Sequence, residues 1–463
     1  MADGMHVVML PWLAFGHMIP FLHLSIALAK SGIRISFLTP PRNIQRLPKI
    51  PQHLTALINL VELPLAKVDG LPEGAEATVD ILQGSDEYLK KAYDLSYPTF
   101  KQFITKESPD WIVHDLFPSW VSNVASEFNI PRVFFSILSA SMVAFLGPAG
   151  EVLRKIWPSP ESLESPPEWF SFESSVAFPP HETAGFYRRF FTPDASGFSS
   201  LDRLVIALQG CSAIAIRSCN EFQGEYLSLL KKFHQRPVIP IGLLPPTPPE
   251  KRETTDPKWA NTLKWLDEQP NRSVVFVCFG SECKLSRDQV FEIAHGLQLS
   301  NLPFLWALRT PIWATNDIDT LPSGFKSQIG NRGVIHMGWA PQLEILAHPS
   351  IGGSLFHSGW ASIIETIHYG HVLIVLPLAN VQSLDARMLV DKGLAIKVEI
   401  NKDGSFHRDA VARSLRLAMI EEEGESFRIK SMEMKAIFSD QTLHENYVSE
   451  FINFLKSSSK ALS

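Results

Sequence analysis

Residues 245–257 read PPTPPEKRETTDP, with four prolines in the first five positions and a charged run after them. Proline has no N–H to give a sheet or a helix interior, so this stretch marks an exposed and fairly stiff linker. It divides the chain, and each half shows the same alternation of apolar strand, turn and helix. In the first half, His6 to Pro11 is a short apolar run and Leu13 to Pro20 is a loop punctuated by glycine and proline. Phe21 to Lys30 then has helical spacing, and Ile33 to Leu38 is β-branched and aromatic. Trp111 to His114, Val133 to Ser136 and Ala213 to Arg217 read as further strands, with a helix from Trp120 to Phe128. The second half offers strands at Ser273 to Phe279, Phe304 to Leu308 and Val334 to Met337, with a helix from Arg287 to Leu299.

Repeated β-α-β order implies parallel sheets with helices on their faces. The expected organisation is two doubly wound α/β domains, residues 1–244 and 259–440, joined by a linker at 245–258. A last helix within 441–463, about Glu445 to Lys456, is expected to pack back on the first domain. Ligands of such sheets bind at the C-terminal ends of strands, so a cleft between facing domains is the expected site. Residues 155–200, rich in Pro, Ser and Phe without a clean period, read as mobile loops over it.

Composition excludes several classes. A net charge of −6, with both signs interspersed, offers no basic stripe for nucleic acid. The four cysteines, Cys211, Cys219, Cys278 and Cys283, form no CxxC pair, so neither zinc nor a disulfide framework is expected and a reducing, cytoplasmic compartment fits. The N-terminus has no basic n-region, and its apolar run is broken by Pro11, Gly16, His17 and Pro20. Neither a signal peptide nor a transmembrane segment is expected.

The most informative chemistry lies in the 44 positions from 339 to 382, WAPQLEILAHPSIGGSLFHSGWASIIETIHYGHVLIVLPLANVQ. It reads as strand, loop, helix, strand. His357-Ser358-Gly359-Trp360 follows the apolar run Ser354 to Phe356, and Ala361 to His368 has helical spacing. A small-residue turn at a helix start presents open backbone N–H groups at the positive dipole end, which suits a diphosphate. Many α/β proteins carry such a turn for packing alone.

The order of residues resembles the plant secondary-product glycosyltransferase box, the signature of family 1 UDP-sugar-dependent glycosyltransferases. Matching positions are Trp339, Ala340, Pro341, Gln342, His348-Pro349, Gly352, His357, Gly359-Trp360, Ser362, Glu365, Gly370, Pro377 and Gln382. The resemblance implies that Trp339 stacks on uracil, that the Ala340 backbone bonds the uracil edge, and that Gln342 and Glu365 bind ribose. It further implies that His357, the backbone near Gly359 and Ser362 hold the diphosphate, and that Trp360 and Gln382 contact the sugar. Gly280-Ser281, in SVVFVCFGS, matches the family's second phosphate loop, although Ser281 also reads as an ordinary helix N-cap.

Three positions depart from the pattern: Ser358, Ala361 and Val381 stand where the family commonly has Cys, Asn and Asp or Glu. Ala361 lacks an amide that would bond phosphate or sugar. Val381 lacks a carboxylate beside Gln382, and losing a charged acceptor typically costs about 1.5–3 kcal/mol. A donor other than UDP-glucose, bound differently or used poorly, is one consequence.

In LPWLAFGHMIPF, His17 lies after the first strand. A lone loop histidine is commonly a surface or capping residue, but the family has its catalytic base in a matching GHxxP context. Histidine suits proton removal because its pKa lies near working pH. Asp115, ending the strand Trp111 to His114, matches the partner aspartate that orients the base, whereas alternation puts His114 on the opposite side. Ser136 and Ser139 are candidate sugar contacts with plain turn roles open to them, and Val381 borders the sugar end. Phe117, Trp120, Phe190 and Phe191 are candidate walls for an apolar, bulky acceptor. RSCNEFQGEYL (217–227) and PLxxxQxxxAR, ending at Arg387, resemble most the subgroup that often extends existing glycosides of terpenoids or flavonoids.

The implied fold is GT-B, two facing Rossmann-like domains. The implied reaction is inverting sugar transfer from a UDP-sugar to a hydroxyl of a small plant metabolite, by a monomer, with no metal or other cofactor. The Asp317-Ile318-Asp319 triplet sits in a polar loop and reads as solvated surface. A binding protein that lost turnover, and a GT-B epimerase or phosphorylase, remain alternatives to a transferase.

Overall fold

In a computed structural model of the protein, the described residues are 4–82, 84–148, 155–246, 257–280, 283–311, 313–314, 316, 319–378 and 381–462. The chain forms two compact units, one of residues 1–163, 184–244 and 441–463, the other of 164–183 and 245–440.

The first unit holds a seven-stranded sheet: β1 His6–Leu10, β2 Arg34–Thr39, β3 Ile58–Glu62, β4 Trp111–His114, β5 Arg132–Ser136, β6 Ala213–Ile216 and β7 Val238–Pro240. Their spatial order is β3-β2-β1-β4-β5-β6-β7, with every pairing parallel. The second unit holds six: β8 Val274–Cys278, β9 Phe304–Leu308, β10 Gly333–Met337, β11 Ile351–Phe356, β12 Val372–Val375 and β13 Ala395–Lys397. Their order, β10-β9-β8-β11-β12-β13, repeats the first pattern, again all parallel.

Both faces of each sheet are covered, which is why the strands read as unbroken apolar runs. Val7 and Met9 enter one core cluster while Val8 and Leu10 enter another. In the second unit Val275 and Val277 face one cluster, Val274 and Phe276 the other. This is the period-two alternation of a strand buried on both sides.

Three sequence expectations need correction. Helix α1 spans Phe15–Ala29 and contains Pro20, so it starts six residues before the periodicity suggests. The Gly16 and Pro20 punctuation hides its start; Pro20, the sixth helical residue, lies past the first turn and forgoes one backbone hydrogen bond inside the helix. Residues 155–200 are not loops throughout: α3, Pro180–Phe191, lies among them, after α2, Ala140–Leu146. Residues 164–183 group with the second unit rather than with the first. The linker at 245–258 falls almost wholly outside the described residues.

The last helix, which we number α6 after α4 (Trp360–His368) and α5 (Gln382–Asp391), runs Gln441–Leu462 and belongs to the first unit. Phe451 and Leu455 are fully buried in its core, and the Trp111 indole N–H donates to the Leu455 carbonyl at 3.2 Å. The Tyr447 hydroxyl accepts from the Asn220 backbone N–H at 2.9 Å and bonds the Glu221 carboxylate at 2.9 Å. The C-terminal segment is thus a structural part of the N-terminal core. Phe451→Ala is expected to destabilise the first unit by about 3–5 kcal/mol, read as a lower urea midpoint of its unfolding transition. A midpoint equal to wild type would show that α6 contributes nothing to that core.

Candidate active site and donor-binding loops

In an open parallel sheet, ligands bind where the strand order reverses, at the C-terminal ends of the two strands that flank the reversal. In the first unit those strands are β1 and β4. His17 follows β1 and Asp115 follows β4. His17 is the third residue of α1, and its Nδ1 lies 2.7 Å from Asp115 Oδ2. The carboxylate is 3% exposed and also accepts from the Trp12 backbone N–H at 3.1 Å and the Leu116 N–H at 2.6 Å. A carboxylate acceptor at Nδ1 places the imidazole proton there, leaving the Nε2 lone pair as a proton acceptor. The His17 side chain is 21% exposed, so that nitrogen remains reachable.

His114 has the opposite character. It is fully buried, donates from Nδ1 to the Asp115 carbonyl at 2.8 Å and accepts at Nε2 from Arg132 at 2.9 Å. Burial, with Arg132 beside it, pushes its pKa down to about 3, so it stays a neutral brace.

His17 and Asp115 open onto a cavity of about 60 Å³ lined largely by Ile137, Leu138, Met142, Leu146, Phe190 and Leu204, with Ser136 at the end of β5. Phe190 is a wall, as expected. The Phe117 ring stacks on Trp12 at 4.3 Å and turns its edge to His17 at 6.3 Å. Two expected walls are not walls: Trp120 is core, packed against Phe100 at 5.0 Å, and Phe191 packs on Tyr187 at 4.5 Å outside the cavity lining. Ser139 is fully buried as the N-cap of α2, its Oγ accepting from the Met142 N–H at 3.2 Å, so its turn role prevails.

The second unit repeats the geometry at β8 and β11. Gly280 follows β8 with φ +71° and His357 follows β11. A Cβ at Gly280 would lie 2.8 Å from His357 Cε1, and one at Gly359 would lie 2.7 Å from its Nε2. The imidazole therefore fits only because both neighbours are glycine. Its Nδ1 is buried without a hydrogen-bond partner among the described residues, and burial pushes its pKa down to about 4. At neutral pH it is an uncharged N–H donor. Gly359 caps α4 with no side-chain hydrogen bond, and Ala361 and Ser362 lie in the first turn of that helix. Ser281 lies outside the described residues, as does Asp317.

Ser358 sits at φ +61°, and its Oγ bonds the carbonyls of His357 at 2.6 Å and Gln382 at 3.0 Å. Gln342 donates to Glu365 at 2.5 Å and meets Ser362 at 3.5 Å, so three sequence-predicted residues form one polar cluster. Ala340 is half-buried beside a core cluster, and Trp339 is 61% exposed, the open apolar ring that a stacking role requires. Arg309 lies 5.5 Å above that ring. Sequence reasoning missed Arg309, though its place just after β9 was a usable signal. Trp360 is 4% exposed, so its indole is core and only its backbone can reach a sugar. Val381 is the N-cap of α5, and the Gln382 side chain accepts from the Leu378 N–H at 3.3 Å.

Residues 252–445 match the family described as UDP-glucoronosyl and UDP-glucosyl transferase. Over 98% of its length the chain is 40% identical to 97% of UDP-glycosyltransferase 91C1 of Arabidopsis thaliana. The chain belongs to the plant family 1 UDP-glycosyltransferases. A soyasaponin III rhamnosyltransferase of Glycine max is 39% identical over 98% of this chain and 95% of that one. Among solved structures, a Polygonum tinctorium UDP-glucosyltransferase capable of glucosylating indoxyl aligns with a TM-score of 0.76 and 25% identity, covering 98% of this chain and 99% of that one.

As a family 1 UDP-glycosyltransferase, the protein has the GT-B fold and transfers sugars from a UDP-sugar donor to secondary metabolites. Among the described residues no helix is long and apolar enough to cross a membrane. Gly280 offers a test of the phosphate loop. Left-handed φ costs an L-residue about 1–2 kcal/mol, and a Cβ there meets the imidazole. Gly280→Ala is expected to weaken UDP binding about tenfold by calorimetry. Wild-type affinity would show that His357 can yield without loss.

Proposed function

We propose that the enzyme transfers a sugar, with inversion, from a UDP-sugar to a hydroxyl of a terpenoid or flavonoid glycoside. The observation that carries this reading is the 2.7 Å His17–Asp115 pair at the mouth of an apolar cavity. His17 Nε2 removes the proton from the acceptor hydroxyl as its oxygen attacks the anomeric carbon. The bond from that carbon to the diphosphate breaks, and UDP leaves from the opposite face. Asp115 holds the tautomer and stabilises the imidazolium that forms. The first-turn N–H groups of α4, Ser362 and the His357 N–H meet the charge on UDP. In this reading no metal or other cofactor takes part, and the enzyme acts as a cytoplasmic monomer. Free Cys211, Cys219, Cys278 and Cys283 suit such a reducing compartment.

For the donor, the apolar Val381 offers no acceptor to a sugar hydroxyl. This favours a sugar with fewer hydroxyls at that end, such as the 6-deoxyhexose rhamnose, and the soyasaponin III rhamnosyltransferase similarity supports it.

Two experiments test the reading. With UDP-glucose and UDP-rhamnose against a panel of flavonoid and triterpenoid glycosides, His17→Ala is expected to lower the rate of UDP release at least about 100-fold and leave UDP affinity unchanged. A variant that keeps most of its activity rules out His17 as the base. No release by wild type from any combination, despite UDP binding, would favour a binding protein. In the same assay Val381→Asp is expected to shift donor preference toward UDP-glucose, and an unchanged donor ratio would show that position 381 does not face the sugar.

A further inference from the structure

Residues 174–182 lie along one face of α5 and are joined to it by polar bonds, while Val176, Ala177 and Phe178 of the same stretch are fully buried. Asp391 accepts from the Ser175 N–H at 2.7 Å, the Ser175 hydroxyl at 2.5 Å and the Ser174 hydroxyl at 3.3 Å. Arg387 donates to the Ser175 carbonyl at 3.1 Å. Ser383 donates to Glu182 Oε1 at 2.6 Å. Positions 383, 387 and 391 are spaced i, i+4, i+8, a single stripe on a helix. The strap meets that stripe in reverse order, so it runs antiparallel to α5. Gly404, at φ +87°, closes the far end: a Cβ there would lie 2.8 Å from the His181 ring.

The stripe begins at the residue next to Gln382. Ser383 is 1% exposed and its hydroxyl can point its proton at only one acceptor, so the Glu182 carboxylate fixes the first turn of α5. A carboxylate beside a helix N-terminus is also favoured by the helix dipole. Arg387 and Lys397, both substantially buried, bring positive charge to the same carboxylate. We propose that the 164–183 strap is a clamp on α5 that sets the position of Gln382, making Glu182 and Ser383 positioning residues for donor-sugar recognition. This rests on the reading above that Gln382 meets the sugar of the donor. The specificity-bearing element is then a segment of the N-terminal half of the chain, about 200 residues from the helix it holds.

The clamp acts on the sugar end and not on the nucleotide, so the test compares the two by calorimetry on the full-length protein. The ligands are UDP, UDP-glucose and UDP-rhamnose without acceptor. Glu182→Leu and Ser383→Ala are each expected to weaken the preferred UDP-sugar about 3–10-fold, as for one lost hydrogen bond. UDP affinity should stay at wild type, and the double variant should be no worse than either single one. Glu182→Gln keeps an acceptor and should recover part of the loss. A purely structural role would weaken UDP and UDP-sugars together, and that outcome overturns the proposal. Gln382→Ala separates the two readings. If it weakens UDP-sugar binding relative to UDP while Glu182→Leu and Ser383→Ala do not, the clamp is wrong and the sugar assignment stands. If Gln382→Ala leaves the ratio unchanged, the sugar assignment itself is wrong and the clamp falls with it.

Discussion

Everything chemical in this protein follows from the burial of two parallel sheets on both faces. A strand such as Val274–Cys278 has no polar face to offer, so function is confined to strand ends. The order β3-β2-β1-β4 and its repeat β10-β9-β8-β11 then choose which ends, because consecutive helices leave to opposite faces only where the order reverses. His17 and Asp115 occupy one such point, and Gly280 and His357 the other. The same topology is used twice with different surroundings: a histidine paired with a carboxylate on one sheet, a neutral imidazole packed between two glycines on the other.

That difference is set by what surrounds each histidine. His17 has a carboxylate on Nδ1 and stays partly open. His357 is packed between two glycines with a buried Nδ1 that lacks a partner among the described residues, and its pKa falls to about 4. A group held neutral by burial is a poor base at neutral pH but a good fixed donor, which matches a diphosphate that arrives already charged.

The central strands, their parallel sense and the two histidine loops were legible in the sequence because apolar runs and turn residues report directly on burial and chain reversal, whereas the outer strands β3, β7 and β13 were not read. Asp115 was separable from His114 by alternation alone, and the buried His114–Arg132 bond agrees with that parity. Other features carried weaker signals. The early start of α1 was masked by Gly16 and Pro20, residues that usually end helices, although this helix carries Pro20 inside it. Trp120, Phe191 and Ser139 were misread because an aromatic wall and an aromatic core residue look alike in sequence, as do a capping serine and a ligand-binding one. The 164–183 strap had no period to detect: its fully buried apolar residues, Val176, Ala177 and Phe178, are consecutive, and its hydrogen bonds reach a helix distant in sequence.

Ser358 explains how nucleotide and sugar recognition can be altered separately yet remain in register. Its left-handed backbone is strained for a residue with a Cβ, and such strain persists only where the surroundings hold it. Here the hydroxyl bridges the carbonyls of His357 and Gln382, tying the end of β11 to the start of α5. The phosphate loop and the first turn of α5 therefore share one anchor, while Val381 lies outside that bond. A substitution at 381 leaves that anchor intact. One at 358 would remove the anchor and release both segments together.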